Sequence, residues 1–265
     1  MNYYSLCLVP DLIIFIFGLC IGSFLNVCIY RIPKEELSIN NPSRSICTEC
    51  GEQIHLWENI PIISFIFLGG KCRSCKTNIS LRYPIVELIT ACFALSVFFK
   101  FSITPEAFIY FCFLSSLVVI TFIDLDYQII PNIISLPGII FGFIASFLLP
   151  GVSIQDSLLG IAFGGGVFYL VAYLFVKIRG IDGMGMGDVK LLAMLGAFLG
   201  LKGVLFIIFV SSVIGTLSGV LVMIQSRSFT LQQKIPFGPF LSIAAMLYVF
   251  WGEKLIIYYI LWLRN

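Results

Sequence analysis

Leu114-Ser115-Ser116-Leu117-Val118-Val119-Ile120-Thr121-Phe122-Ile123-Asp124-Leu125-Asp126 decides how the chain is read. It is an apolar run of membrane type that ends on a carboxylate. A carboxylate at the edge of hydrocarbon is costly and by default marks a functional site. A second such edge lies downstream, where Gly185-Met186-Gly187-Asp188-Val189-Lys190 opens another apolar run.

The rest of the chain has the same character. Of its 265 residues, 59% are hydrophobic and 11% charged, and the mean hydropathy is +1.04. A soluble domain carries roughly 25% charged residues, so this composition excludes a globular enzyme with one anchor. It predicts an all-α, polytopic membrane helix bundle. Apolar runs long enough to cross a bilayer fall near 9–30, 84–102, 107–125, 131–149, 157–178, 187–201, 203–225 and 236–262. That makes about eight transmembrane helices, with seven as the alternative because the sixth run is short and its border with the seventh is soft. Pro10, Pro84, Pro105, Pro131 and Pro236 stand near span starts, where a missing N–H costs little. Gly164-Gly165-Gly166, and Gly215 with Gly219, read as close helix packing ahead of a substrate groove.

Lys and Arg set the orientation. Segment 31–83 holds Arg31, Lys34, Arg44, Lys71, Arg73, Lys76 and Arg82, and the spans above put Lys177, Arg179, Lys190, Arg227 and Lys234 on the same side. Lys100, Lys202, Lys254 and Arg264 fall on the other. Twelve against four makes the richer side cytoplasmic and the N-terminus outside. The first run is unlike a cleaved signal peptide, since no basic residue precedes it and Arg31 follows. In this arrangement Asp124 ends a span, and Asp188 begins one, at the same cytoplasmic face. Three regions result: 1–30, a first span; 31–83, a cytoplasmic loop; and 84–265, a membrane core.

The loop contains Cys47-x-x-Cys50 and Cys72-x-x-Cys75. Two such knuckles match a four-cysteine zinc site, with a redox pair or an iron centre as alternatives. Zinc accepts four thiolates tetrahedrally and folds a loop too small for its own core. A cytoplasmic location keeps the thiols reduced and argues against disulfides. Cys7, Cys20, Cys28, Cys92 and Cys112 lie in or beside apolar runs and read as small hydrophobes. His55, the one histidine, reads as a loop-surface residue because four cysteines already complete a site.

Two carboxyls that share one proton can hydrolyse a peptide bond: one takes a proton from water and the other protonates the carbonyl or the leaving amine. Gly185 and Gly187 would let substrate backbone approach Asp188. Asp126 competes with Asp124. Two residues apart on a helix, they point to nearly opposite sides, so only one can face Asp188. Residue physics alone leaves that choice open. Asp182 reads as a solvated loop residue and Asp156 as a helix N-cap outside the membrane. A proton-coupled carrier or a zinc-loop membrane scaffold is the non-enzymatic alternative, but carriers place such groups near the midplane. Another alternative is a GxGD protease that cuts helices inside the bilayer. Such enzymes pair the motif with Tyr-Asp, whereas Ile123 precedes Asp124 here.

Several motifs then line up. Gly22-Ser23-Phe24-Leu25-Asn26-Val27 runs on to Arg31-Ile32-Pro33. Trp57-Glu58-Asn59-Ile60-Pro61 and Leu68-Gly69-Gly70-Lys71-Cys72 accompany the knuckles. Arg82-Tyr83-Pro84-x-Val86-Glu87-Leu88 follows, then Asp124 seven residues before Pro131, Gly185-x-Gly187-Asp188, and Ile235-Pro236-Phe237-Gly238-Pro239. From about residue 18 to 250 this series resembles the type IV prepilin leader peptidases of bacterial pilus and type II secretion systems. The resemblance implies cleavage of type IV prepilins and pseudopilins after a short basic leader at the inner membrane. It also implies N-methylation of the new terminal residue, usually Phe, from S-adenosylmethionine. It assigns the catalytic pair to Asp124 and Asp188, and it prefers Asp124 to Asp126 by its distance from Pro131. It makes Gly185 and Gly187 supports of the catalytic loop. Asn26, Arg31, Gly70 and Glu87 become candidates for methyl transfer or substrate binding, beside helix–helix bonding for Asn26 and Glu87 and a simple turn at Gly70. Prepilins and the lipid bilayer are the implied partners; nucleic acid is not. Three positions depart from the family pattern: Cys47-Thr48-Glu49-Cys50 lacks the usual proline, the stretch from Pro33 to Cys47 is short, and Asn132 stands where Asp is frequent. None removes a group that the chemistry needs.

Overall fold

In a computed structural model the described residues are 3–34, 44–180, 185–226 and 236–263. They form nine α-helices, a 3-10 turn and a π-helical segment, and among them no extended strand occurs. Asp182, Arg227 and Lys234 lie outside the described residues.

Six helices are long and apolar enough to cross a membrane, so the protein is a membrane protein. The expected eight runs all lie on helices, but three differ in form. The run at 131–149 becomes the short α5, Asn132–Ala145, whose 14 residues span about 21 Å, less than a hydrocarbon core of about 30 Å. The runs at 187–201 and 203–225 join as α8, Met186–Ser226, which breaks helical geometry at Gly200 (φ 68°, ψ −177°). That backbone favours glycine. A Cβ there would also stand 3.1 Å from Cβ of Asp156. Asp156 sits in the first turn after Ser153, whose hydroxyl accepts from the Asp156 N–H, so Ser153 rather than Asp156 is the N-cap.

The chain forms two compact units, Met1–Val119 and Ile120–Asn265. In the first, α1 (Tyr3–Arg31) packs on α3 (Arg82–Phe101) through small residues. A Cβ on Gly18 would reach Cα of Ala91, and one on Gly22 would reach Cα of Glu87, each at 2.6 Å. The loop between these helices carries the short α2, Ile63–Phe67. Helix α4, Pro105–Tyr127, starts in the first unit and carries its last turns into the second.

In the second unit the opening half of α8 is the buried centre, with 191–200 shielded throughout. A helix that is apolar all round belongs inside a bundle. α5 covers it where Gly138 meets Met194 and Gly142 meets Ala197 and Phe198. α6, Ile154–Ile161, crosses it at Gly160 against Gly196, and the Ser157 hydroxyl donates to the Ala197 carbonyl at 2.8 Å. The π segment, Ala162–Val167, continues the contact, with Gly164 on the Leu192 carbonyl and Gly165 on Ala193. α7, Phe168–Arg179, leads away, and α9, Gly238–Leu263, packs on α8. The glycine run thus serves helix packing.

Candidate active site

Asp124 lies in the last turn of α4. The helical period turns Ile123 and Asp124 inward, 0% and 5% exposed, while Leu125 and Asp126 face out. Of the two aspartates, Asp124 is therefore the one buried in the bundle and Asp126 the one at its surface. α4 stops just beyond, where Gln128 takes a left-handed conformation (φ 54°) and its N–H bonds the Asp124 carbonyl at 2.9 Å.

Asp188 lies in the first turn of α8, where the unpaired amides of a helix start favour a carboxylate. Its N–H bonds the Gly185 carbonyl at 3.0 Å. The two glycines sit in tight quarters. A Cβ at Gly185 would lie 3.1 Å from Oδ2 of Asp188, and one at Gly187 would lie 3.0 Å from Cβ of Ile130. The segment after α4 therefore rests on the start of α8. Lys190 Nζ donates to Oδ1 of Asn132 at 2.8 Å across the same junction, a contact in which Asn replaces the family's frequent Asp. Asp124 lies within electrostatic range of Asp188, and both carboxyls, 64 residues apart in sequence, belong to one compact unit.

A further group holds Asp124. The Gly238 N–H, at the start of α9, donates to Oδ2 at 2.9 Å within the buried interior. A Cβ on Gly238 would sit 2.6 Å from that oxygen, so only glycine allows the contact. Sequence reading quoted this glycine without giving it a role. Pro236 and Pro239 around it signal a helix start, but nothing local says which carboxylate that start meets.

The four loop cysteines gather into one cluster. Sγ atoms of Cys47, Cys50, Cys72 and Cys75 all lie within 4.8 Å of one another, and Cys47 and Cys75 are 3.9 Å apart. Four sulfurs at about 2.3 Å from zinc lie about 3.8 Å from one another, so the cluster fits a tetrahedral metal. The two knuckles share a design. Cys47 N–H bonds the Glu52 carbonyl and Cys72 N–H the Thr77 carbonyl, while left-handed Gly51 and Lys76 return their amides to the first cysteine. Inward N–H groups favour thiolates. The Cys50 and Glu49 amides hold Cys47 below its ordinary value. The Thr77 hydroxyl and amide hold Cys75 at about 6. Cys50 also receives the Glu52 amide, but its neighbours Cys47 and Cys75 push it up to about 11. Such crowding of thiols is what a dication relieves. His55 stands apart from the cluster as the N-cap of the 3-10 turn Leu56–Asn59. Its N–H bonds Glu58, which also pairs with Arg73 at 3.1 Å and ties that turn to the second knuckle.

The remaining candidates lie at the loop end of the α1–α3 pair. Asn26 Nδ2 donates to the Tyr83 carbonyl at 3.0 Å, and buried Arg31 donates to the Arg44 carbonyl at 3.2 Å. Buried Glu87 accepts from the Ile62 N–H at 2.8 Å and from the Ser23 hydroxyl. Gly70, left-handed at φ 68°, lies over the Phe65 ring.

Comparison with known proteins agrees with this arrangement. Residues 16–101 match the bacterial peptidase A24 N-terminal domain, and 110–220 match the type IV leader peptidase family. A prepilin leader peptidase/N-methyltransferase of Pseudomonas aeruginosa is 38% identical, covering 90% of this chain and 89% of its own length. Proteins of the same name from Aeromonas hydrophila (36%; 94% and 93%) and Neisseria gonorrhoeae (38%; 86% of each) are similar. No solved structure matches significantly. Matched along nearly its whole length by such relatives, the chain belongs to the type IV leader peptidase family.

Proposed function

We propose that this chain cleaves the basic leader of type IV prepilins and type II secretion pseudopilins, and then methylates the new N-terminus. The single observation that supports the proteolytic half is that Asp124 and Asp188 lie within electrostatic range of each other, with the Gly238 amide bonded to one of them. One carboxyl takes a proton from water as the oxygen attacks the scissile carbonyl. Its partner protonates the carbonyl oxygen and later the leaving amine. Neither step needs a metal. Gly185 and Gly187 support the loop before Asp188: the first leaves room for its carboxylate and the second for Ile130.

The methyl-transfer half belongs to the α1–α3 pair and the loop at 31–83, with 84–265 as the peptidase core. S-adenosylmethionine would supply the methyl group. Asn26, Arg31 and Glu87 lie toward the loop end of the pair, with Gly70 in the loop, and their amide, guanidinium and carboxylate groups suit a zwitterionic cosubstrate and a free amine. Zinc, held by Cys47, Cys50, Cys72 and Cys75, orders the loop. The excess of Lys and Arg on one side of the spans supports a cytoplasmic position for loop and dyad, at the inner membrane. The test is mass spectrometry of a candidate pilin's mature N-terminus, with and without this protein. A shortened, methylated terminus that depends on the protein is expected; an unchanged terminus would refute the proposal.

A further inference from the structure

The loop carries apolar surface that its own fold does not cover. Trp57 is 82% exposed, Ile66 69% and Phe67 87%, with Ile63 and Leu81 also well exposed. Helix α2 holds one polar side chain, Ser64, and its hydroxyl turns back to the Ile60 carbonyl at 2.7 Å. An apolar patch of this kind marks an interaction surface.

Its height fixes the partner. Glu87 lies five residues past the start of α3 at Arg82, so its Cα is about 7.5 Å along a membrane-spanning helix. Its carboxylate takes the Ile62 N–H, immediately before α2. The side chain leans back toward the helix start, which removes part of that depth. Even so, the turn before α2 is held at or below the level of Arg82. Ile62 is left-handed (φ 60°, ψ −48°), unusual for a β-branched residue, so the turn keeps that shape under constraint. Exposed Lys71, Arg73 and Lys76 follow in the chain and suit anionic headgroups. Exposed aromatic and basic side chains in one short segment are the composition of a membrane interface.

We infer that the segment Trp57–Phe67 is an interfacial anchor that lays the four-cysteine loop on the lipid surface beside the α1–α3 pair. The inference rests on the membrane reading alone and stands apart from the proposed enzymology.

The full chain is placed in nanodiscs of phosphatidylethanolamine and phosphatidylglycerol with Trp251→Phe and Trp262→Phe, which leaves Trp57 as the only tryptophan. Lipids brominated near the carbonyl end of the acyl chain should lower Trp57 emission roughly twofold, while aqueous iodide has little effect. A second variant adds Trp57→Phe and Phe67→Trp to read α2 directly, and it should respond in the same way. Iodide quenching without lipid quenching at either position would place it in water. Protection from both quenchers would mean that protein covers it. Either result overturns the anchor.

Discussion

Gly238→Ala adds one methyl group where the structure leaves no room for it. The new carbon would stand 2.6 Å from Oδ2 of Asp124 and 3.1 Å from Cγ, whereas ordinary contact begins near 3.4 Å. Carboxylate and helix start must therefore separate by about 0.8 Å, which stretches the 2.9 Å hydrogen bond out of range. A hydrogen bond to a charged group contributes about 1.5–3 kcal/mol. Lost only from the reacting arrangement, that corresponds to about 10- to 150-fold in kcat. A misplacement near 1 Å independently costs on the order of 100-fold. The assay is cleavage of a purified prepilin by protein in nanodiscs, with kcat and KM determined separately. The expected result is a kcat lowered about 100-fold with KM nearly unchanged, because the role proposed for Asp124 is at the water and the carbonyl rather than at distant substrate contacts. Gly151→Ala, a site with nothing within 4 Å, serves as control and should behave as wild type. A Gly238→Ala kcat within twofold of wild type would refute the idea that this amide positions Asp124.

Other consequences follow from the same geometry. Cys47→Ser or Cys72→Ser should lower bound zinc, measured by atomic emission on purified protein; unchanged metal would reject the four-thiolate site. Cys75 is held at about 6 and Cys47 is also lowered by its backbone amides, so the Cys75 thiolate persists at neutral pH and is lost as pH falls through about 6. Zinc content should therefore stay level down to about pH 6 and fall below it, and loss beginning near pH 9 would contradict this reading. Cleavage should follow a bell-shaped pH profile whose two apparent values belong to the carboxyl pair, and a flat profile would exclude paired acid and base. Gly196→Leu should destabilise the second unit by about 3 kcal/mol or more, read as a lowered thermal midpoint, because its backbone meets that of Gly160.

Much of the fold was legible because hydrocarbon imposes a simple code. Long apolar runs gave the helices, and CxxC spacing gave a cluster whose sulfurs converge. Lengths and joints were less legible. An apolar run does not reveal that Gly200 takes a left-handed turn, since the reason is the approach of Asp156 from another helix. Nor does it reveal that 131–149 yields only a 14-residue helix. Asp124 and Asp126 looked alike until burial separated them. Gly238 was visible as a helix start, but its partner is 114 residues away in the chain, a distance over which local chemistry carries no signal.

Cleavage of one prepilin by wild type, Asp124→Asn and Asp188→Asn, each confirmed folded by its thermal midpoint, tests the central claim most directly. A carboxamide can neither take the water's proton nor give one up, so each single variant should fall to background, and the double variant should be no worse. Cleavage by either single variant at the wild-type rate would contradict the dyad.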